Sequence, residues 1–353
     1  MSPGSALDSI TVVELAQVFA VPHTGQLLAA EGARVLKLEP PTGDLARRQG
    51  ALLPGGTSTI FETFNRGKEL ATADLREPAD RERVAVLATA ADVFITNQDA
   101  EYLRSVGLDY VSLAAANPRL VYGELSAFGS GGPIGTDGLA QAASGMTDLT
   151  GPPDGHGFRS GVSAVDVAAG VWLALGIVVA LQERTRTGRG NLLRLSLHQV
   201  ALALGMAQLS MGSVLPDRMR RMGNLSLTSC TPVFLASDGR VFTTIMDDRH
   251  WRRFCTALGR QELIHDPRFA DEDARFAHQA EIEAELNPSF AGGTRDEWVE
   301  RLRRERVPCA AERTVGEVLT DPELRARGML YRHSVGGVEM TDVAIPFHLK
   351  TSG

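Results

Sequence analysis

Three cysteines in 353 residues, Cys230, Cys255 and Cys309, are too few and too widely spaced to staple a fold or hold a metal. They read as small packing residues. Positive charge is also short: 36 Lys and Arg against 43 Asp and Glu leave a formal charge of −7. Nucleic acid as the main partner needs a basic surface, so that class is set aside, although a local basic pocket for a phosphorylated ligand stays compatible. The eight histidines are scattered, no His-Glu-x-x-His occurs, and neither His250 nor His265 gathers a ligand set. No metal site is predicted. The absence of Gly-x-Ser-x-Gly argues against a serine hydrolase, and the absence of Gly-x-x-x-x-Gly-Lys-Ser/Thr against a P-loop. The opening Met1–Asp8 has neither a basic region nor an apolar core, so no secretory signal is predicted and a cytoplasmic location is expected. There is no internal repeat and no low-complexity tract.

What is present is alternation. Strand-like Ile10–Leu15, Arg34–Glu39, Asp92–Thr96 and Arg119–Leu125 interleave with helix-like Pro22–Ala33, Glu77–Ala91 and Asp109–Ala116. This pattern predicts an α/β fold, a parallel sheet with helices on both faces. A further strand is expected over Asn191–Leu197, and a helix from His198 to about Gly212. The character then changes. Val233–Ile245 reads as a β-hairpin turning at Asp238-Gly239, and Thr294-Arg-Asp-Glu297 as a capping box. The expected domains are 1–215 (large), 225–320 (small, α+β) and a segment 321–353 returning to the first.

The long apolar run Val167–Leu181 is shorter than the ~20 residues needed to span a bilayer, with Asp166 before it and Gln182-Glu-Arg after it. It predicts a core helix and no membrane association. Asp166 is the strongest candidate for a reactive carboxylate: apolar surroundings, at the positive end of a helix dipole. Locally, however, Ser163-x-x-Asp166 fits a capping box, which would leave the acid satisfying a backbone donor. The glycine cluster Phe128–Pro133 lacks dinucleotide spacing and reads as a loop. Asn65-Arg-Gly-Lys68 places two cations in a turn, either solvated or clamping a phosphate.

Taken together, these segments resemble the family III CoA-transferases, which also include the α-methylacyl-CoA racemases. The marks are Glu31-Gly-Ala-Arg-Val-Leu-Lys37-Leu-Glu39-Pro, Asn65-Arg-Gly-Lys68, Ala91–Asn97, Asn117–Tyr122, Phe128–Pro133, Asp166 with Gly170, Ala180–Arg184, Thr187-Gly-Arg-Gly190 and Val307-Pro-Cys309. The resemblance implies a Rossmann-like large domain with a smaller α+β domain, and an interlocked homodimer. It implies acyl-CoA and a carboxylic acid as substrates, with Asp166 as a nucleophile that carries CoA through anhydride and aspartyl-CoA thioester intermediates. Backbone donors near Phe19-Ala20 would hold the oxyanions. Lys37, Asn65, Arg66, Lys68, Asn97 and Arg104 would contact CoA.

The chain departs from the family pattern in places. Phe19-Ala-Val-Pro22 stands where many members have a polar residue and then Ala-Gly-Pro, so Phe19 cannot donate and Val21 is bulkier than Gly. Gly223–Cys230 replaces a glycine-rich loop, and the chain stops at Gly353 where many members continue. The racemase branch would pair Asp166 with a His and oppose it with an acid of the small domain. Here Thr136 occupies the position of that His, before Asp137, and the acid aligns near Asp247. A non-catalytic acyl-CoA binding protein is the remaining alternative.

Overall fold

The computed structural model describes residues 5–347; the opening residues and the end of the 321–353 segment lie outside them. The chain divides into two compact units. One comprises the chain up to Met146, Arg159–Leu209 and the chain from Pro322; the other comprises Thr147–Phe158 and Ser210–Asp321. Residues 147–158, expected within the 1–215 domain, therefore cluster with the second unit.

The first unit is built on six strands: β1 (Thr11–Leu15), β2 (Arg34–Glu39), β3 (Glu69–Thr72), β4 (Val93–Thr96), β5 (Val121–Ser126) and β6 (Leu192–Ser196). They pair in the order β3-β2-β1-β4-β5-β6, and every pairing is parallel. That is the doubly wound order, reversing between β1 and β4. The strands are apolar on both faces because both are covered. Val12, Val35, Val93, Ile95 and Val121 face one core. Val13, Leu38, Phe94 and Tyr122 face the other. The period-2 alternation of side chains separates the two sets.

Helix α1 (Ala20–Ala30) follows β1, α2 (Thr59–Asn65) precedes β3, and α3 (Pro78–Ala90) begins on a proline whose missing N–H is not needed in a first turn. Later come α4 (Asp137–Ala143), α5 (Ala164–Thr187) and α6 (Leu197–Leu204). The single helix expected from His198 is broken at Gly205.

Helix α5 is 24 residues long and an 18-residue stretch of it has a mean hydropathy of 2.3, so its length does not exclude a membrane span as the apolar run alone implied. One face of it packs as a core helix does. Leu173 and Ile177 are wholly buried against the sheet, Arg184 pairs with Asp92 at 3.0 Å, and Gly188 closes it at φ 70°. Where α5 crosses α1, Gly170 removes an obstacle: a Cβ there would stand 2.8 Å from Ala20 O. The missing side chain lets the start of α1 approach the first turns of α5.

The second unit holds the expected hairpin, β7 (Val233–Ala236) and β8 (Gly239–Thr243), extended by a third strand, β9 (Cys309–Ala311). Phe234 stacks on Phe290 at 4.3 Å, beside Phe254 and Trp298. The Thr294 capping box forms, with both reciprocal hydrogen bonds. Cys230 and Cys255 are buried here and burial pushes both thiols up to about 12, while Cys309 is half-buried.

Candidate active site

A cavity of about 570 Å3 opens within the first unit, at the carboxyl ends of β1, β4 and β5. An open α/β sheet leaves a crevice at this place, because the crossover helices diverge to opposite faces where the strand order reverses. Its wall includes Gln17 to Ala20, Asn97, the glycine loop from Gly129 to Gly132, Asp137 and Asp166.

Asp166 sits in the first turn of α5. The capping box read from Ser163-x-x-Asp166 does not form, since Ser163 makes no side-chain cap. The cap comes from outside the helix: Asp137 Oδ2 accepts the amides of Val165 at 2.8 Å and Asp166 at 3.0 Å. The Asp166 carboxylate is thereby left unused by its own helix, on the cavity wall. Asp137 is in turn held by Gln141 Nε2, and Gln141 Oε1 accepts the amide of Ser160 at 2.8 Å. Burial first, then the charge of Asp137, pushes the Asp166 carboxyl up to about 7. The dipole of α5 opposes that rise without cancelling it.

Facing α5 is the uncapped start of α1. Phe19 is its N-cap and makes no side-chain cap. The amides of Ala20 and Val21 have no carbonyl one turn back to bond, and Pro22 has no N–H. His23 is the first to bond back, to Phe19 O at 2.7 Å. Phe19 lines the cavity with its ring edge-on to Phe64 at 5.1 Å. Val21 points into the apolar core and is fully buried, so its bulk does not narrow the cavity.

The loop between β1 and α1 is strained. Val18 adopts φ 75°, a left-handed conformation that costs a β-branched residue of order 1–3 kcal/mol. Four hydrogen bonds hold it there. Val18 N donates to Asp44 Oδ1 at 3.0 Å, and Lys37 Nζ to Ala16 O at 2.7 Å. Asn97 Oδ1 accepts the Gln17 amide at 3.1 Å, and Asn97 Nδ2 donates to Gln17 O at 2.7 Å.

Behind the loop lies a closed ionic group. Lys37 bridges Glu14 at 3.0 Å and Asp44 at 2.8 Å, and Lys68 pairs with Glu14 at 2.7 Å; all four side chains are fully buried. Two cations and two anions leave no net charge, which makes such burial tolerable. Burial works against Lys37, but its two acids hold it above its ordinary value. Lys68, with one acid and a neighbouring cation, is pulled by burial down to about 8.

The residues expected to contact CoA are thus dispersed. Lys37 and Lys68 are turned inward, and Asn65 bonds Lys68 at 2.9 Å. None of the three is part of the cavity wall. Arg66 pairs with Asp342 at 2.6 Å beneath the Tyr331 ring. Arg104 is exposed in the last turn of its own short helix, off the cavity wall. Asn97 reaches the cavity, but its amide clamps Gln17. Asp247 belongs to the second unit, where it caps a helix by accepting the His250 amide at 2.7 Å. Asp166, Phe19, Ala20 and Asp137 are brought together.

Sequence reasoning missed Val18, whose conformation no local signal announces, and the structural role of Asp44, legible only as Gly-Asp before a turn. Gln141, in the motif Gln141-Ala-Ala-Ser-Gly145 that marks the family resemblance, was given no role, and Arg159 was passed over. Among the described residues no group of three His, Cys, Asp or Glu side chains converges as a metal site would require.

A family model described as CoA-transferase family III matches residues 7–352. The chain is 32% identical to the succinate–glutarate CoA-transferase of Agrobacterium fabrum, over 92% of this chain and 84% of that one. It is 32% identical to the acetyl-CoA:oxalate CoA-transferase of Acetobacter aceti, over 96% and 88%. The solved structure of a CaiB/BaiF family protein from Brucella suis matches with a TM-score of 0.86 at 34% identity, covering 98% of this chain and 93% of that one.

Proposed function

Because the chain belongs to family III of the CoA-transferases, we propose that it moves CoA from an acyl-CoA thioester to a free carboxylic acid, with Asp166 as the nucleophile. The observation that carries this reading is the Asp166 carboxylate, released from helix capping by Asp137 and placed on one cavity wall with the uncapped start of α1.

The ionised Asp166 attacks the thioester carbonyl carbon. Negative charge gathers on the carbonyl oxygen, where the amide of Ala20, on the cavity wall, is an available donor. The C–S bond breaks, CoA leaves as thiolate and a mixed anhydride remains. The thiolate then attacks the Asp166 carbonyl carbon and expels the donor's acid, leaving an aspartyl-CoA thioester. The acceptor carboxylate attacks that thioester and displaces thiolate again. Thiolate attack on the acceptor's carbonyl frees Asp166 and releases the new acyl-CoA. No proton is gained or lost overall, so the site needs no general acid.

The thioester end of the substrate fits the cavity, where Phe19 offers an apolar wall. A racemase would need a second proton-exchanging group; among the described residues lining the cavity there is no histidine, Thr136 occupying the place of one. Asp247 is engaged as a helix cap. Both observations favour transfer over racemisation.

The reading includes a homodimer, interlocked as the family resemblance implies, and a cytoplasmic site of action. An apolar strip of α5 supports association: Val167, Val171, Trp172, Leu175, Val178 and Val179 are each between 41% and 58% exposed. A contiguous strip of this kind marks an association surface.

Incubation with acyl-CoA, a hydroxylamine quench and mass spectrometry should find the adduct on Asp166. Asp166→Ala should bind CoA without turnover; a variant that still transfers would remove Asp166 from the role. A protein that binds acyl-CoA but exchanges nothing would be the non-catalytic alternative.

A further inference from the structure

Two of the residues expected at CoA, Lys37 and Lys68, end instead on one stretch of backbone. The Lys68 ammonium has three partners: Glu14 Oε2 at 2.7 Å, Asn65 Oδ1 at 2.9 Å and the carbonyl oxygen of Pro22 at 2.8 Å. Lys37 is arranged alike, with Glu14 Oε1 at 3.0 Å, Asp44 Oδ2 at 2.8 Å and the carbonyl oxygen of Ala16 at 2.7 Å. Ala16 follows β1, and Pro22 lies in the first turn of α1. The two carbonyls therefore flank Ala20, the donor proposed for the oxyanion, and Glu14 joins the two cations that hold them.

The Glu14–Lys68 pair also meets α1 at a prepared place. At Gly25 an added Cβ would stand 2.0 Å from Glu14 Oε2 and 3.1 Å from Lys68 Nζ. Glycine is a poor residue for a helix interior, and here it makes room for the ions. The remaining partner is fixed as well: Asn65 Nδ2 donates to Phe61 O at 2.9 Å, one turn back in α2.

Stability does not account for this arrangement. Desolvating two charges costs about as much as their attraction returns, and apolar residues of similar volume often serve a core as well or better. What a buried pair imposes is position, because ions shut away from water lose heavily when their partners shift. The position fixed here is that of the first turn of α1. Ala20 belongs to α1 and Asp166 to α5, and the two helices meet where Gly170 approaches Ala20 O. A shift of the α1 start would change the distance from the donor to the proposed nucleophile. We infer that Lys68 is a positioning residue for the transfer reaction, holding the first turn of α1 through Pro22 so that the Ala20 amide faces the reacting carbonyl. This rests on the transferase reading and requires no contact between Lys68 and substrate.

The test uses the full chain carrying Glu14→Met and Lys68→Met together. Removing both leaves Lys37 paired with Asp44, so no charge is stranded. Acetyl-CoA serves as donor, with propionate, butyrate, oxalate, succinate and glutarate as acceptors. The kcat should fall about 10- to 100-fold, the loss that a slight misplacement of a catalytic group produces. The Kd for CoA in calorimetric titration should stay at its wild-type value, and the Tm should not fall. An unchanged kcat would overturn the inference. So would a weaker Kd for CoA with a loss that vanishes on acetyl-pantetheine, which would make Lys68 a phosphate contact. If the double variant does not fold, Gly25→Ala decides, since it keeps every charge and pushes the Glu14 carboxylate away from α1. The kcat should fall there too, and an unchanged value defeats the inference. Hydrogen exchange read by mass spectrometry separates this inference from its parent. If the wild type transfers CoA to no acid, the transferase reading fails. Faster exchange confined to residues 17–23 in the variant still supports the role of Lys68. Exchange that is unchanged there, or faster throughout the unit, defeats it.

Discussion

The carboxylate of Asp137 accepts the backbone amide of Asp166 at 3.0 Å, and its charge, added to burial, pushes the Asp166 carboxyl up to about 7. One residue thus frees the Asp166 carboxylate from capping and restrains its ionisation.

With Asp166 as the proposed nucleophile only its ionised form would attack, so kcat/KM should climb with pH through about 7 and level off above it. In Asp137→Asn the repulsion is gone, and the limb should move to lower pH by about one unit. The kcat should also drop, because a neutral amide holds the start of α5 less firmly. A profile flat from pH 5.5 to 8.5 would show that Asp166 does not titrate as its surroundings require.

Asp166 should destabilise the protein it serves. Its carboxyl binds a proton more tightly folded, at about 7, than in the unfolded chain at the ordinary 3.8. Folded-state stability therefore declines as pH rises from about 4 to about 7 and is level beyond. Asp166→Asn removes that dependence and should be more stable at pH 8 by roughly 2–4 kcal/mol, with little difference near pH 4. Urea unfolding at the two pH values measures it; a variant less stable at pH 8 would mean the site is not desolvated.

Val18→Gly tests the strained loop. Deleting an apolar side chain ordinarily destabilises, but glycine tolerates φ 75°. Relief of strain offsets the entropy of the unfolded chain, and stability should stay level or rise by about 1 kcal/mol. The kcat should nevertheless fall, since the loop carrying Phe19 and Ala20 is freer. Clear destabilisation would indicate that the four hydrogen bonds hold Val18 without strain.

Trp172→Glu, on the exposed strip of α5, should lower the Tm of the dimer, since interlocked chains cannot part without opening. A charge desolvated in an apolar interface costs several kcal/mol. An unchanged Tm would put the interface elsewhere.

The layered α/β fold was legible because strands buried on both faces must be apolar throughout, as Val12-Val13 and Phe94-Ile95 are. Asp166 stood out because a carboxylate ahead of an apolar helix is rare. Lys37 and Lys68 could not be read correctly. A cation in a short motif looks the same whether it faces a phosphate or a buried glutamate, and Glu14 lies far from both in sequence. Asp247 was similarly ambiguous between an acid and a cap.

The sequence by itself determined the main alternation of strands and helices, since side-chain periodicity, proline and glycine act over a few residues, but not the strand Glu69–Thr72 or the break at Gly205. It also determined the family. Only the tertiary structure decided which groups share a cavity. Asp137 and Asp166 are 29 positions apart, and Gly170 meets Ala20 across most of the unit. Hydrogen bonds and desolvation act over a few ångströms of space, and distance along the chain does not encode that.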